Sequence, residues 1–368
     1  SDSATPQEHE SNGALQLPTP AKSSLASIPT PPKSHSLCDK VLVTRDDARE
    51  KLQTAIGVEF GTLPPYLYAL YSIRPGTNVE AAELIRSVAL QEMIHMCLAC
   101  NILNALGGDP KILPMTYPGP LPGDIGPEGQ RLTLHLLPFS KTAMEQAMKI
   151  EEPEHVPPFL VAALAITPEA PVTIGQFYRA LDAFLATLPA SDWQANRNQI
   201  RDDQFFAGQL YPVNSYVDAH KAISQIVSEG EGANDDPLDF QHELAHYFRF
   251  GEIFNEKALT KIDHPPGYQW GPTRFPIDYS SVFPAISDPA LHDFSQETFE
   301  ARAAQTACDK AFAAMIEALQ RAIGGASGAL GQAVAAMFAL RRAADRAFET
   351  PLADPAKVAG PRFIYRPA

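Results

Sequence analysis

From Asp46 onward, apolar residues recur at helical spacing. Leu52, Ile56, Glu59 and Leu63 fall on one stripe, which Pro64 and Pro65 should kink or restart before YLYALYSI. Thr77 followed by Glu80 has the form of a capping box opening a helix that runs to about Leu106, where Gly107-Gly108-Asp109-Pro110 stops it. Roughly 29 residues at about 1.5 Å each make a rod of about 43 Å, enough to span a four-helix bundle. Its inner stripe is Ile85, Val88, Ala89, Glu92, His95, Ala99, Leu103 and Leu106. Residues 114–137, full of Pro and Gly, read as an irregular excursion. Helices are then expected over 141–151, 173–188, from near Ser215 with Ile223, Ile226 and Val227 inward, and over 238–257. Residues 260–290 read as extended loop, followed by Ala-rich helices over 295–323 and 328–348 joined through GGASG.

The organisation that follows is all-α: a helical bundle over 41–260 with long crossover segments, and a Pro-rich loop plus added helical hairpin over 261–368. Residues 1–40, rich in Ser, Pro, Thr and Ala without apolar period, read as a flexible arm. With 29 basic against 43 acidic residues the formal net charge is -14, which repels phosphate backbones and argues against nucleic acid as a partner. Absence of an uninterrupted run of 18 apolar residues argues against a membrane span, and no signal peptide is visible, so a cytoplasmic location is expected. The four cysteines are too scattered for a disulfide scaffold. Cys97 and Cys100 read as small apolar residues inside a helix rather than a redox or metal pair.

The pattern that carries chemistry is a repeated Glu-x-x-His: Glu92 to His95 and Glu243 to His246. Three residues apart on a helix, carboxylate and imidazole share a face one turn apart, so each pair can grip one metal ion. A charged residue in a core stripe is costly unless paired or coordinated, and both expected helices carry one. Two partner helices must supply two more carboxylates. Glu59 sits in the first stripe. For the other position Glu231 and Glu229 lie roughly 90° and 110° from the Ile223-Ile226-Val227 centre, which barely separates them. Four glutamates neutralise two divalent cations, and mixed oxygen and imidazole ligands suit iron or manganese, with zinc compatible. Glu151 is a further carboxylate that reaches the site only if the chain near its proline break turns inward. Tyr66, Tyr68 and Tyr71 read as packing residues. His242 to His246 also spells HExxH, the zinc-hydrolase pattern in which Glu243 would be a base and both histidines ligands. That reading leaves Glu59 and the first Glu-x-x-His unexplained.

Several stretches, AIGVEFGTLPPYLYALYSI (55–73), ALQEMIHMCLACNILNALGGDP (89–110), IEEPE (150–154), TIGQFY (173–178), IVSEGEG (226–232) and ELAHYFRFGEI (243–253), resemble the ferritin-like domain of the iminophenyl-pyruvate dimer synthase family, enzymes of violacein- and rebeccamycin-type pigment pathways. The resemblance implies a ferritin-like four-helix bundle and favours Glu231, framed by two glycines, over Glu229. The expected metal set is therefore Glu59, Glu92, His95, Glu231, Glu243 and His246. It further implies a metal-dependent, di-iron oxidoreductase acting with dioxygen or peroxide on a small aromatic imine or keto acid. An iron-handling protein or a non-catalytic metal-binding scaffold is the rival reading, and self-association into a homo-oligomer stays open.

Overall fold

The computed structural model describes residues 44–126, 131–154, 173–202, 204–233 and 236–367; the expected arm over 1–40 lies outside them. The protein is all-α and largely helical, with long crossovers and additional C-terminal helices. The first helix, α1 (Arg45–Tyr71), opens on Thr44, whose hydroxyl accepts from Asp47 N while the Asp47 carboxylate accepts from Thr44 N. It runs through Pro64 and Pro65 without restarting, contrary to the expected break. Each proline removes one i→i−4 bond, and for Pro65 the acceptor left over is the Gly61 carbonyl. The Tyr117 hydroxyl, arriving from the irregular excursion, donates to that oxygen at 2.7 Å. Burial of the surrounding chain then holds the helix together across the prolines.

A short turn leads to α2 (Val79–Ala105), which packs along α1. Its first residue is preceded by Asn78 in the left-handed region (φ 45°), with no side-chain cap. The expected Thr77 capping box is therefore absent; the Thr77 hydroxyl donates instead to Arg74 O. By length and composition α2 is apolar enough to cross a membrane, yet 89% of its apolar window is buried inside the protein, as befits a core helix. Cys97 and Cys100 lie within it, buried and unpaired, and burial pushes the Cys97 thiol up to about 12.

Three helices pack around this pair: α3 (Lys141–Ile150), α4 (Ile174–Leu185) and α5 (Tyr216–Glu231), capped by Ser140, Thr173 and Ser215 respectively. The helix expected over 238–257 is only α6 (His246–Asn255). Pro237 and Asp239 account for the missing turns. The Asp239 carboxylate accepts from the Gln241 and Glu243 N–H groups at 2.8 and 3.0 Å, holding these donors in a loop where they are lost to a helix. Past α6 the extended loop expected over 260–290 is in part an antiparallel hairpin, β1 (Lys257–Asp263) with β2 (Pro266–Arg274). Trp270 of β2 lies so close to Gly251 of α6 that a side chain there would meet the indole ring. Two long helices, α7 (Phe299–Ile323) and α8 (Ala329–Glu349), form the C-terminal hairpin and lie against α1 and α2. Phe60 and Phe312 stack across that contact with ring centroids 6.3 Å apart.

Tyr117→Phe should leave the buried Gly61 carbonyl without its donor and cost about 1–3 kcal/mol of stability. Urea denaturation monitored by circular dichroism measures this; an unchanged midpoint would mean that the prolines are tolerated without Tyr117.

Candidate metal centre

Glu59 projects from the middle of α1, Glu92 and His95 from the same face of α2, Glu151 from the C-terminal end of α3, and His246 from the first turn of α6. All five are buried, with at most 6% of any residue exposed. Glu59, Glu92 and His95 offer one set of converging ligand atoms, and Glu92, Glu151 and His246 a second. Glu92 belongs to both: its Oε1 is 3.6 Å from His95 Nδ1 and 2.7 Å from His246 Nδ1. The two imidazoles stack at 5.4 Å with their planes 22° apart. These are two buried Glu/Glu/His clusters sharing a carboxylate, as a pair of metal ions requires.

Each imidazole is held by its outer nitrogen. His95 Nε2 donates to Glu229 Oε2 at 2.6 Å, and His246 Nε2 donates to Gln91 Oε1 at 2.9 Å. Both bonds leave Nδ1 as the nitrogen facing the carboxylates, the arrangement in which an outer hydrogen bond orients a metal-ligating ring. Among the described residues His246 Nδ1 makes no hydrogen bond despite its 2.7 Å approach to Glu92. A lone-pair nitrogen and a carboxylate oxygen at that distance repel unless a cation sits near both. Among the described residues Glu229 Oε1 is likewise buried without a hydrogen bond. The carboxylates are tied in turn: Tyr178 of α4 donates to Glu59 Oε1 and Tyr66 of α1 to Glu151 Oε1, each at 2.5 Å. Thr62 Oγ1 lies 3.2 Å from Glu92 Oε2.

Electrostatics follow from this crowding. Burial and the neighbouring Glu151 and Glu59 charges push the Glu92 carboxyl well above its ordinary range. Burial also penalises the Glu59 anion, but hydrogen bonding and charge from His95 outweigh it and hold this carboxyl low. His95 loses by burial and gains more from Glu229 and Glu59, and so rises to about 9, whereas burial lowers His246. Burial and adjacent carboxylates raise Tyr66 and Tyr178, so both phenols remain donors. Four buried carboxylates are thus gathered around two histidines, a charge that two divalent cations match.

Of the six expected ligands, the structure brings together Glu59, Glu92, His95 and His246. Glu243 lies elsewhere: it precedes α6, its side chain is 62% exposed, and it faces Arg249 at 3.4 Å. The second Glu-x-x-His therefore does not share a helical face, because the Asp239 loop occupies the turn that would have carried Glu243. The same loop separates the histidines of HExxH: His242 is exposed and left-handed (φ 63°). Glu231 also stands apart, with its carboxylate on Arg179 and on the Glu154 N–H. The helix α5 continues unbroken through Gly230, so residues 229 and 231 point about 200° apart. Glu229 takes the inward direction, as the partner of His95. Glu151, the further carboxylate whose place the sequence left open, completes the second cluster instead. Gln91 and Tyr178 carried no sequence signal of their own.

The ferritin-like family profile matches residues 52–255 of this chain. A crystal structure of a ferritin-like protein from Caulobacter vibrioides is similar in fold, with a TM-score of 0.61 and 21% sequence identity over 89% of this chain and 100% of that one. No curated protein matches the chain.

Replacing Glu151 by Ala should lose one of two bound metals, Glu229→Ala should weaken binding about 10–100-fold by freeing the His95 ring, and Glu243→Ala should leave both in place. Metal analysis after identical reconstitution, with circular dichroism as the folding control, reads all three. Since His95 is protonated up to about pH 9 before metal binds, a metal ion must displace that proton. Apparent affinity should therefore fall about tenfold per pH unit for each proton displaced as pH drops from 9 to 6. A pH-independent affinity in competition with a chelator would contradict this.

Proposed function

The chain belongs to the ferritin-like family, and from that premise we propose that it is a di-metal oxidoreductase, with iron as the metal and a small organic molecule as the substrate. The observation that carries the reading is Glu92, whose one carboxylate serves two buried ligand sets. Glu59, Glu92 and His95 would hold one ion, and Glu92, Glu151 and His246 the other. Bound there, a pair of iron ions supplies electron transfer and dioxygen chemistry that no side chain of this site can perform.

The protein's own part is to hold, orient and exclude. Tyr178 and Tyr66 fix the rotamers of Glu59 and Glu151 through their hydroxyls. Gln91 and Glu229 fix which imidazole nitrogen faces inward. Before metal binds, burial and the neighbouring Glu151 and Glu59 charges raise the proton affinity of the shared Glu92 carboxyl, which favours relief of the charge repulsion among the acids. A cleft approaches the cluster between α4 and α5, and Ile174, Gly175, Ile226 and Val227 are among its walls. Apolar walls of this kind keep water scarce around a reactive centre. The resemblance to iminophenyl-pyruvate dimer synthases points to an aromatic amino-acid-derived imine or keto acid.

Iron handling without an organic substrate is the second reading, and one feature favours it. Glu152 and Glu231 also line the approach, giving it an acidic side.

Loaded with ferrous iron without oxygen, the protein should hold about two ions per chain. It should then consume dioxygen in catalytic excess only when an aromatic imine or keto acid is present. Uptake that stops in proportion to the iron supplied, whatever organic molecule is added, would select the iron-handling reading. Tyr178→Phe should lower metal affinity about 10–100-fold, because Glu59 loses the hydroxyl that orients it.

A further inference from the structure

The two ligand sets are built differently. Glu59, Glu92 and His95 all stand in the middle of α1 and α2, two long helices packed along each other. Of the second set only Glu92 does. Glu151 follows the last residue of α3, and His246 is the first residue of α6. Mid-helix backbone is held by hydrogen bonds in both directions, whereas helix ends lack part of theirs and open at lower free energy. The first set therefore meets a cation with less ordering left to do.

The outer partners differ in charge. His95 Nε2 donates to the Glu229 carboxylate at 2.6 Å, and His246 Nε2 donates to the amide oxygen of Gln91 at 2.9 Å. A hydrogen bond to a carboxylate is the shorter and stronger kind, and it raises the basicity of the ring nitrogen that faces the metal. A neutral amide orients the ring and adds little charge. Around the first position stand the carboxylates of Glu59, Glu92 and Glu229, and around the second those of Glu92 and Glu151. Arg249 acts on both His246 and Glu229 and so does not separate the two sides. Access works in the same direction. Glu59, Glu92 and His95 all line the cleft between α4 and α5, whereas His246 does not.

Given the di-metal centre proposed for this chain, we infer that its two positions are unequal. The Glu59/Glu92/His95 position fills first and more tightly, the Glu92/Glu151/His246 position second and more weakly, and Glu229 and Gln91 are the positioning residues that set the order. With less metal than sites, the chain then carries a single ion at the first position rather than a mixture of pairs and empty centres.

The test is titration of the metal-free full chain with manganese(II), followed by calorimetry and electron paramagnetic resonance. The wild-type chain should bind in two steps about tenfold or more apart. The first equivalent should give the resolved hyperfine signal of an isolated ion, and the second should replace it with the broad spectrum of a coupled pair. Glu151→Ala should keep the tight step and lose the second, and Glu59→Ala should keep only the weak one. Glu229→Gln should weaken the first step about 10–100-fold and merge it with the second. Gln91→Glu should strengthen the second step about tenfold, a gain that disturbed packing could not produce. If circular dichroism shows that this variant does not fold, the Glu229→Gln result decides alone. Two ions entering the wild-type chain in one step, a tight step kept by Glu59→Ala and lost by Glu151→Ala, or an unchanged first step in Glu229→Gln would each overturn the inference. A wild-type chain that never takes a second ion would instead overturn the di-metal reading on which the order of filling depends.

Discussion

The carboxylate of Glu92 faces two imidazole nitrogens and two further buried carboxylates, and most of this fold can be understood as the apparatus that makes such a position tolerable. An uncompensated charge in a protein interior costs several kcal/mol. Four acids converge here around two histidines. Protonating Glu92 and His95 relieves part of that cost, and two divalent ions relieve it more completely. The hydroxyls of Tyr66, Tyr178 and Thr62 spread the remaining hydrogen-bonding demand over α1 and α4. Binding energy of the ions is therefore also folding energy for the residues that hold them.

That constraint explains why the long connections matter. Two antiparallel helices alone supply only Glu59, Glu92 and His95. The second cluster needs Glu151, which lies where α3 ends, and His246, which lies where α6 begins. A side chain at a helix terminus can be placed by the loop beside it, so these two ligands depend on packing of α3 against α6 rather than on any internal repeat. The α1–α2 pair is consequently used on both sides. One side carries the ligands, and the other, turned by a single residue, carries the apolar surface on which the C-terminal hairpin closes.

Periodicity and residue chemistry in the sequence were sufficient for the helices, the all-α class, and the members of the first cluster. Glu92 and His95 stand three apart in mid-helix and share a face by construction, and Glu59 stands in the apolar stripe of its own helix, so each could be singled out from spacing, although their meeting across α1 and α2 could not. His246 was recognised for the right chemistry on a wrong premise, since the repeat with Glu243 belongs to no common helix. What overrode the pattern was local competition: the Asp239 side chain took the backbone N–H groups that a longer α6 would have used. The restart expected at the paired prolines of α1 fails because a distant partner, Tyr117, satisfies the carbonyl left over there, whereas Thr77 is drawn from its capping role locally, its hydroxyl donating to Arg74 O. Continuity of α5 through Gly230 puts Glu229 and Glu231 on opposite sides, and packing, not spacing, turns Glu229 toward His95 and Glu231 toward Arg179. Glu151 and Tyr178 lie far from the motif in the chain, and Gln91, though next to Glu92, meets its partner His246 only across helices. They join it because folding brings the ends of α3, α4 and α6 to the middle of α1 and α2, and only tertiary structure could decide that: hydrogen bonds and ligand sets depend on which side chains meet in space, whereas a sequence pattern constrains only those that are neighbours along one helix.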